Sequence, residues 1–232
     1  MKGAFRILKF QFSRDTLRLM LLWILLLGLI LPGSLDGRHE RKPILAILPF
    51  SVVGVEDPEK GVFCPVCNGI RRAGEILAGS EKTLTRFVYE KMETNGTFQV
   101  IPMKRVEAIV VPSERKSMEK RPVLESIRIG KTLNADFVCI GILFRFEERI
   151  GSSLGVERPA SVSFDLHLIR LRDEKMVWLG KFDETQKPLS ENLLKIGSFI
   201  RRKGSWLTAA ELASVGIDEV LKKLPALKEL EQ

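Results

Sequence analysis

Three stretches in the second half of the chain alternate apolar and polar residues over lengths that suit strands. "ADFVCIGILFRFEER" places Val138, Ile140, Ile142, Phe144 and Phe146 on one face of an extended chain. "ASVSFDLHLIRLR" answers it with Val162, Phe164, Leu166 and Leu168 inward, leaving Ser163, Asp165 and His167 on the opposite face. "RDEK" (Arg172–Lys175) reads as a turn, and "MVWLGKFDE" returns with Met176, Trp178 and Phe182 aligned. Three such runs joined by short polar links predict an antiparallel meander, with Asp165 and His167 on a partly exposed polar face.

The segments before the meander alternate in kind. "PILAILPF" (Pro43–Phe50) is a short, nearly continuous apolar run ended by proline, as for a buried strand. Residues 51–79 are rich in Gly and Pro and read as a long loop. "SEKTLTRFVYEKMETNG" carries Leu84, Phe87, Val88 and Met92 at helical spacing, with Ser80 as N-cap and Asn95-Gly96 as stop. "TFQVIP" predicts a strand, 103–110 a helix, "PSERKSMEKRP" a basic surface loop, and Pro122 the start of another helix running to Leu133. Two helices close the chain, one capped by Ser190 and one by a capping box of Thr208 and Glu211. The expectation is an α/β (α+β) fold with a single mixed sheet in the order β-α-β-α-β-β-β-α-α, with no internal repeat.

The amino terminus is different in character. Lys2, Arg6, Lys9, Arg14 and Arg18 precede thirteen apolar residues, Leu19–Leu31, which Pro32-Gly33 ends. That run is too short for an ordinary span of about 20 residues and suits the core of an export signal or a short anchor. It predicts a signal peptide or membrane anchor over 1–37, a polar linker over 38–42, and one exported domain over 43–232, periplasmic or held at the inner membrane by residues 19–31. The net charge of +8 is concentrated here: the first 42 residues hold eight Lys/Arg against three acids, leaving +3 for the rest. Composition therefore gives no case for a nucleic-acid partner.

"ILAILPF", a helix leading into "GTFQVIP", then "IGKTLNADFVCIG" and a β-meander bearing "MVW" resemble, over roughly residues 43–183, a superfamily of bacterial envelope proteins. It comprises the curli-export lipoproteins, the lipoprotein activators of penicillin-binding proteins, and the amino-terminal domain of the Tol-system propeller protein. The resemblance implies a non-enzymatic envelope protein that binds protein or cell-wall partners, with no cofactor and with homo-oligomers open to it. This chain departs from those relatives in having no lipid-accepting cysteine after the apolar run and no long amphipathic hairpins of a pore. The resemblance assigns no functional residue.

"FCPVCNG", with Cys64 and Cys67, is the stretch most suggestive of chemistry. Asn68 follows the second cysteine where covalent haem attachment needs histidine. In an oxidising compartment the bland reading is a disulfide between Cys64 and Cys67 that staples the loop. A zinc site needs four ligands, for which only Cys139, His39 and His167 remain among cysteines and histidines, or a second chain in a zinc-bridged dimer. Disulfide exchange needs an activated thiol, which Arg71 and Arg72 would favour. Asp165 and His167 share a strand face with no identifiable nucleophile beside them, and Asp183, Glu184 and Glu191 gather at the "FDETQKPLSEN" corner. Arg115, Lys116, Lys120 and Arg121, or Arg201, Arg202 and Lys203, are candidate contacts to an anionic surface. No catalytic motif is present, so the expectation is no enzyme.

Overall fold

In the computed structural model, residues 41–54, 61–153, 155–187 and 206–232 are described. The basic and apolar leader, His39, the Ser190-capped segment with Glu191, and Arg201–Lys203 lie outside the described residues.

The organising element is β6, the eleven-residue strand Phe137–Glu147. Along one edge it pairs antiparallel with β9 (Ser161–Arg170), which pairs in turn with β10 (Lys175–Thr185). Its other edge is served by three successive segments. β1 (Ile44–Ile47) pairs parallel with its start, and β2 (Ser51–Val52) with its middle. Residues 74–77 close its end, where Gly74 and Leu77 donate to the Phe144 and Phe146 carbonyls and Phe146 donates to Glu75. β5 (Gln99–Val100) adds to β1, giving a six-stranded sheet in the order β10-β9-β6-β1-β5 with β2 beside β6. The mixed sheet and the meander agree with the sequence expectation. The loop predicted over 51–79 also holds a small hairpin, β3 (Val62–Phe63) with β4 (Ile70–Arg71), and β7 (Ile150–Gly151) with β8 (Val156–Arg158) forms another.

Register decides what each face carries. Opposed residues in an antiparallel pair project to the same side. Val138 faces Ile169, Ile140 faces His167, and Ile142 faces Asp165. The Val138 face therefore shares its side with Asp165 and His167, whereas Phe137, Cys139 and Leu143 share theirs with Phe164, Leu166 and Leu168. The expected common face from Val138 to Phe146 breaks at a bulge between Leu143 and Arg145, which returns Phe146 to the other side. A second bulge, between Met176 and Trp178, likewise separates Met176 from Trp178 and Phe182, and Met176 is exposed.

Both faces are covered. On one, α1 (Ser80–Asn95) and α5 (Ala209–Leu221) bury Leu84, Val88, Met92, Leu212 and Ile217 against Phe50, Phe164 and Phe182. Helix α1 stops at Gly96 in the left-handed conformation, as Asn95-Gly96 predicts. Ser80 is its first residue rather than its cap, and its hydroxyl donates to the Leu77 carbonyl. The Thr208–Glu211 capping box of α5 is formed. On the other face, α2 (Met103–Ile109), α3 (Pro112–Lys120) and α4 (Pro122–Thr132) cover Ala46, Leu48, Val138 and Ile140. The stretch read as a basic loop is thus helix α3: Pro112 suits a first helical turn, Glu114 lies near its N-terminus, Lys120 near its end, and Met118 is buried. The last helix, α6 (Leu227–Leu230), tucks Leu230 into the first core.

Candidate metal centre beneath the cysteine hairpin

Ahead of Gly74, the β3–β4 hairpin lies over the face that carries Asp165 and His167. Its tip is the C-P-V-C turn. Cys64 N–H donates to the Gly69 carbonyl at 2.8 Å, and Asn68 N–H donates to the Cys64 carbonyl at 2.9 Å. Asn68 takes φ +57°, a left-handed conformation that asparagine tolerates better than most residues. Pro65 supplies the fixed φ at the start of the turn. Two anchors hold the hairpin's base: Arg145, buried in the sheet, donates to the Arg72 carbonyl at 3.0 Å, and Glu147 accepts from Glu75 N–H at 3.2 Å.

This folding places four chemically significant side chains together. The ligand-type atoms of Cys64, Cys67, Asp165 and His167 all lie within 4.8 Å of one another. Cys64 Sγ is 3.5 Å from His167 Nε2, Cys67 Sγ is 3.9 Å from Asp165 Oδ2, and His167 Nε2 is 3.9 Å from Asp165 Oδ2. Arg71 on β4 closes the group: its Nε is 2.9 Å from both Asp165 oxygens, and its guanidinium also reaches Cys67 Sγ at 3.6 Å. Cys64, Asp165 and His167 are 0% exposed, so the polar face expected to be partly open is sealed by the hairpin.

Burial sets the protonation states. It pushes the Cys64 thiol up to about 11, against the pull of the Cys67 and Val66 backbone N–H groups. It pushes the His167 imidazole down to about 4, the Asp165 carboxylate only partly opposing this. His167 Nδ1 and, further along the strand, the Ser163 hydroxyl lack a well-formed hydrogen bond, although the Ile140 backbone also acts on the imidazole. At neutral pH the pair is thus thiol and neutral imidazole rather than thiolate and imidazolium. Asp165 and Cys64 also crowd the same ring nitrogen, Nε2, so the carboxylate does not orient the imidazole from the far side as a nucleophilic triad requires. Acid–base or thiol chemistry on a diffusing substrate is poorly served by this arrangement. A four-donor set of two sulfurs, one imidazole and one carboxylate is instead of the kind that holds a borderline-soft cation.

The remaining candidates lie elsewhere. Cys64, Cys67 and Cys139 are free thiols here, without the Cys64–Cys67 disulfide expected for an oxidising compartment. Cys139 points into the opposite core, where burial pushes its thiol up to about 12. Asp183 pairs with buried Arg145, whose Nε donates to Ser161 at 2.6 Å. Arg115 lines a groove of about 270 Å³ between α1, α2 and α3, together with Glu81, Arg86 and Glu107. Arg121 is paired with Glu125 at 2.9 Å, and Lys116 and Lys120 are exposed. The basic cluster is therefore interleaved with acids. Sequence reasoning missed Asp165 as a neighbour of the cysteines and Arg71 as its partner. The available signal was the pair of polar residues, Asp165 and His167, flanked by Phe164, Leu166 and Leu168 on a long strand.

No family model matches this chain, and no curated protein matches it. Solved structures similar to it include the PelC dodecamer from Paraburkholderia phytofirmans, at 10% identity and TM-score 0.43, covering 78% of this chain and 85% of that one. Lipoprotein GNA1162 from Neisseria meningitidis is similar at 9% identity and TM-score 0.40, covering 70% and 98%. The LpoB C-terminal domain from Salmonella enterica is similar at 12% identity and TM-score 0.36, covering 65% and 87%. At that distance, function must be argued from this chain's own residues.

Proposed function

We propose that this is a non-enzymatic domain of the cell envelope, exported or anchored by its amino-terminal segment, that works by binding another envelope protein. One observation carries the binding role. Phe63 and Ile70 oppose each other across the β3–β4 hairpin and are 65% and 66% exposed, while the cysteines behind them are packed against the sheet. A cross-strand pair of large apolar side chains, held outward on an anchored hairpin, is a small docking surface rather than a solvated loop. The closed cluster beneath it supports the absence of catalysis, because Cys64, Asp165 and His167 have no path to a substrate. The basic flank and apolar run of residues 2–31 support export.

The test has two arms. A phosphatase that is active only outside the cytoplasm, fused after Gln232, should be active; a stable but inactive fusion overturns export. A photo-crosslinker at position 63 in the full chain should give a discrete adduct with one envelope protein. That adduct should vanish in an Ile70→Ser variant of unchanged melting temperature. An adduct insensitive to Ile70→Ser, or one formed only with a second copy of this chain, overturns the reading.

A further inference from the structure

We propose that Cys64, Cys67, Asp165 and His167 of a single chain bind one zinc ion, which clamps the β3–β4 hairpin onto the sheet, with Arg71 compensating the site's charge. The inference concerns how the hairpin is held and stands apart from whether it docks a partner.

The donor set is the first argument. Zinc takes thiolate, imidazole and carboxylate ligands in tetrahedral sites, whereas calcium and magnesium require mostly oxygen, and among the described residues the cluster offers one carboxylate. Bond lengths of about 2.0–2.3 Å give a tetrahedron with edges of about 3.3–3.8 Å. Three of the six edges are 3.5, 3.9 and 3.9 Å and the other three lie within 4.8 Å, so closing on an ion needs ligand shifts of at most about 1 Å. Both ligand pairs arise from local geometry. Cysteines three apart are brought together by the tight turn, and Asp165 and His167, two apart on a strand, project from the same face.

The second argument is how the surroundings treat each ligand. His167 Nδ1 lacks a well-formed hydrogen bond, and Nε2 turns towards the sulfur and the carboxylate. A histidine buried for packing alone would be poorly satisfied there, since unmet buried polar atoms are costly. Charge then closes. Two thiolates and a carboxylate carry −3, a zinc ion leaves −1, and Arg71, bonded to Asp165 and near Cys67, brings the buried cluster to neutrality. With four protein ligands there is no open position, which makes the site structural rather than catalytic. The second pair comes from β9 of the same chain, so a zinc-bridged dimer is not needed.

The mature protein, purified under reducing conditions without chelator, should contain one zinc ion per chain by elemental analysis. Cobalt should replace it and give thiolate-to-cobalt charge transfer with the visible bands of tetrahedral coordination. Cys64→Ser, Cys67→Ser and His167→Ala should each lower zinc affinity at least tenfold, whereas Cys139→Ala, on the opposite face, should keep full occupancy. Because ligand variants can misfold, the wild-type protein provides a separate readout. Stripping the metal should speed amide exchange across residues 62–71, and added zinc should restore protection without changing the rest of the sheet. Folded, reduced protein that takes up neither zinc nor cobalt overturns the proposal. A Cys64–Cys67 disulfide in the mature protein, or half an equivalent of zinc lost together with a dimer, overturns it as well. Loss of zinc with retention of the position-63 crosslink, or the converse, separates this proposal from the docking role.

Discussion

Arg71 and Asp165, 94 positions apart, form a bidentate ion pair between the hairpin and the sheet, with side chains only 10% and 1% exposed. The pair links the hairpin to the middle strand of the meander, and it is the kind of contact whose half-removal is expensive. In metal-free protein, Asp165→Ala should lower the unfolding free energy by about 3–5 kcal/mol by leaving the guanidinium buried and without its counter-charge. Arg71→Met with Asp165→Leu should cost less than the sum of the singles in urea denaturation, because neither partner is then orphaned.

Metal-free protein should lose stability in acid through His167. Its folded value of about 4 lies below the ordinary 6.5, so between those limits the unfolded chain holds the extra proton. This contribution is complete above about pH 6.5, declines as pH falls towards 4, and is constant below. At about 1.4 kcal/mol per pH unit it amounts to roughly 3 kcal/mol. His167→Gln should flatten the pH 4–6.5 segment of the stability profile relative to wild type, as equilibrium unfolding across that window would measure.

Thiol accessibility should follow burial. Cys67 is half-exposed, while Cys64 and Cys139 are buried with their thiols pushed up to about 11 and about 12. Timed alkylation with mass spectrometry on reduced, metal-free protein should label Cys67 first and Cys139 only on global unfolding. Zinc should protect Cys67 as well, which an unliganded hairpin does not predict.

Gly180 is where α5 rests on β10. A Cβ added there would lie 2.2 Å from Val220 Cγ1 and 2.7 Å from the Trp178 ring. Gly180→Ala should therefore cost about 1–3 kcal/mol by overpacking, read as a lower urea midpoint with an unchanged slope. The amide-exchange pattern of residues 62–71 should not change, because that hairpin sits on the opposite face.

The strand runs of the meander, helix α1 with its Gly96 stop and the Thr208–Glu211 box were legible in the sequence, because period-two alternation, 3.6-residue spacing and capping are local properties of adjacent residues. Helix α3 was not, because its single buried anchor, Met118, sits among charges whose pattern looks like a solvated loop. Sequence also marked Cys64 and Cys67 as a pair and Asp165 and His167 as sharing a face. It could not join the pairs, which are about a hundred residues apart, since alternation says that Asp165 and His167 oppose Leu166 but not what covers them. Two non-local facts settled that. The antiparallel register sets Ile140 opposite His167 and Ile142 opposite Asp165, so the polar pair faces the second core rather than solvent. The long β6 edge is shared among β1, β2 and residues 74–77, and the hairpin that precedes Gly74 sets its cysteines against Asp165 and His167. Local patterning wrote the elements; strand register and a shared sheet edge, which depend on partners distant in the chain, built the site.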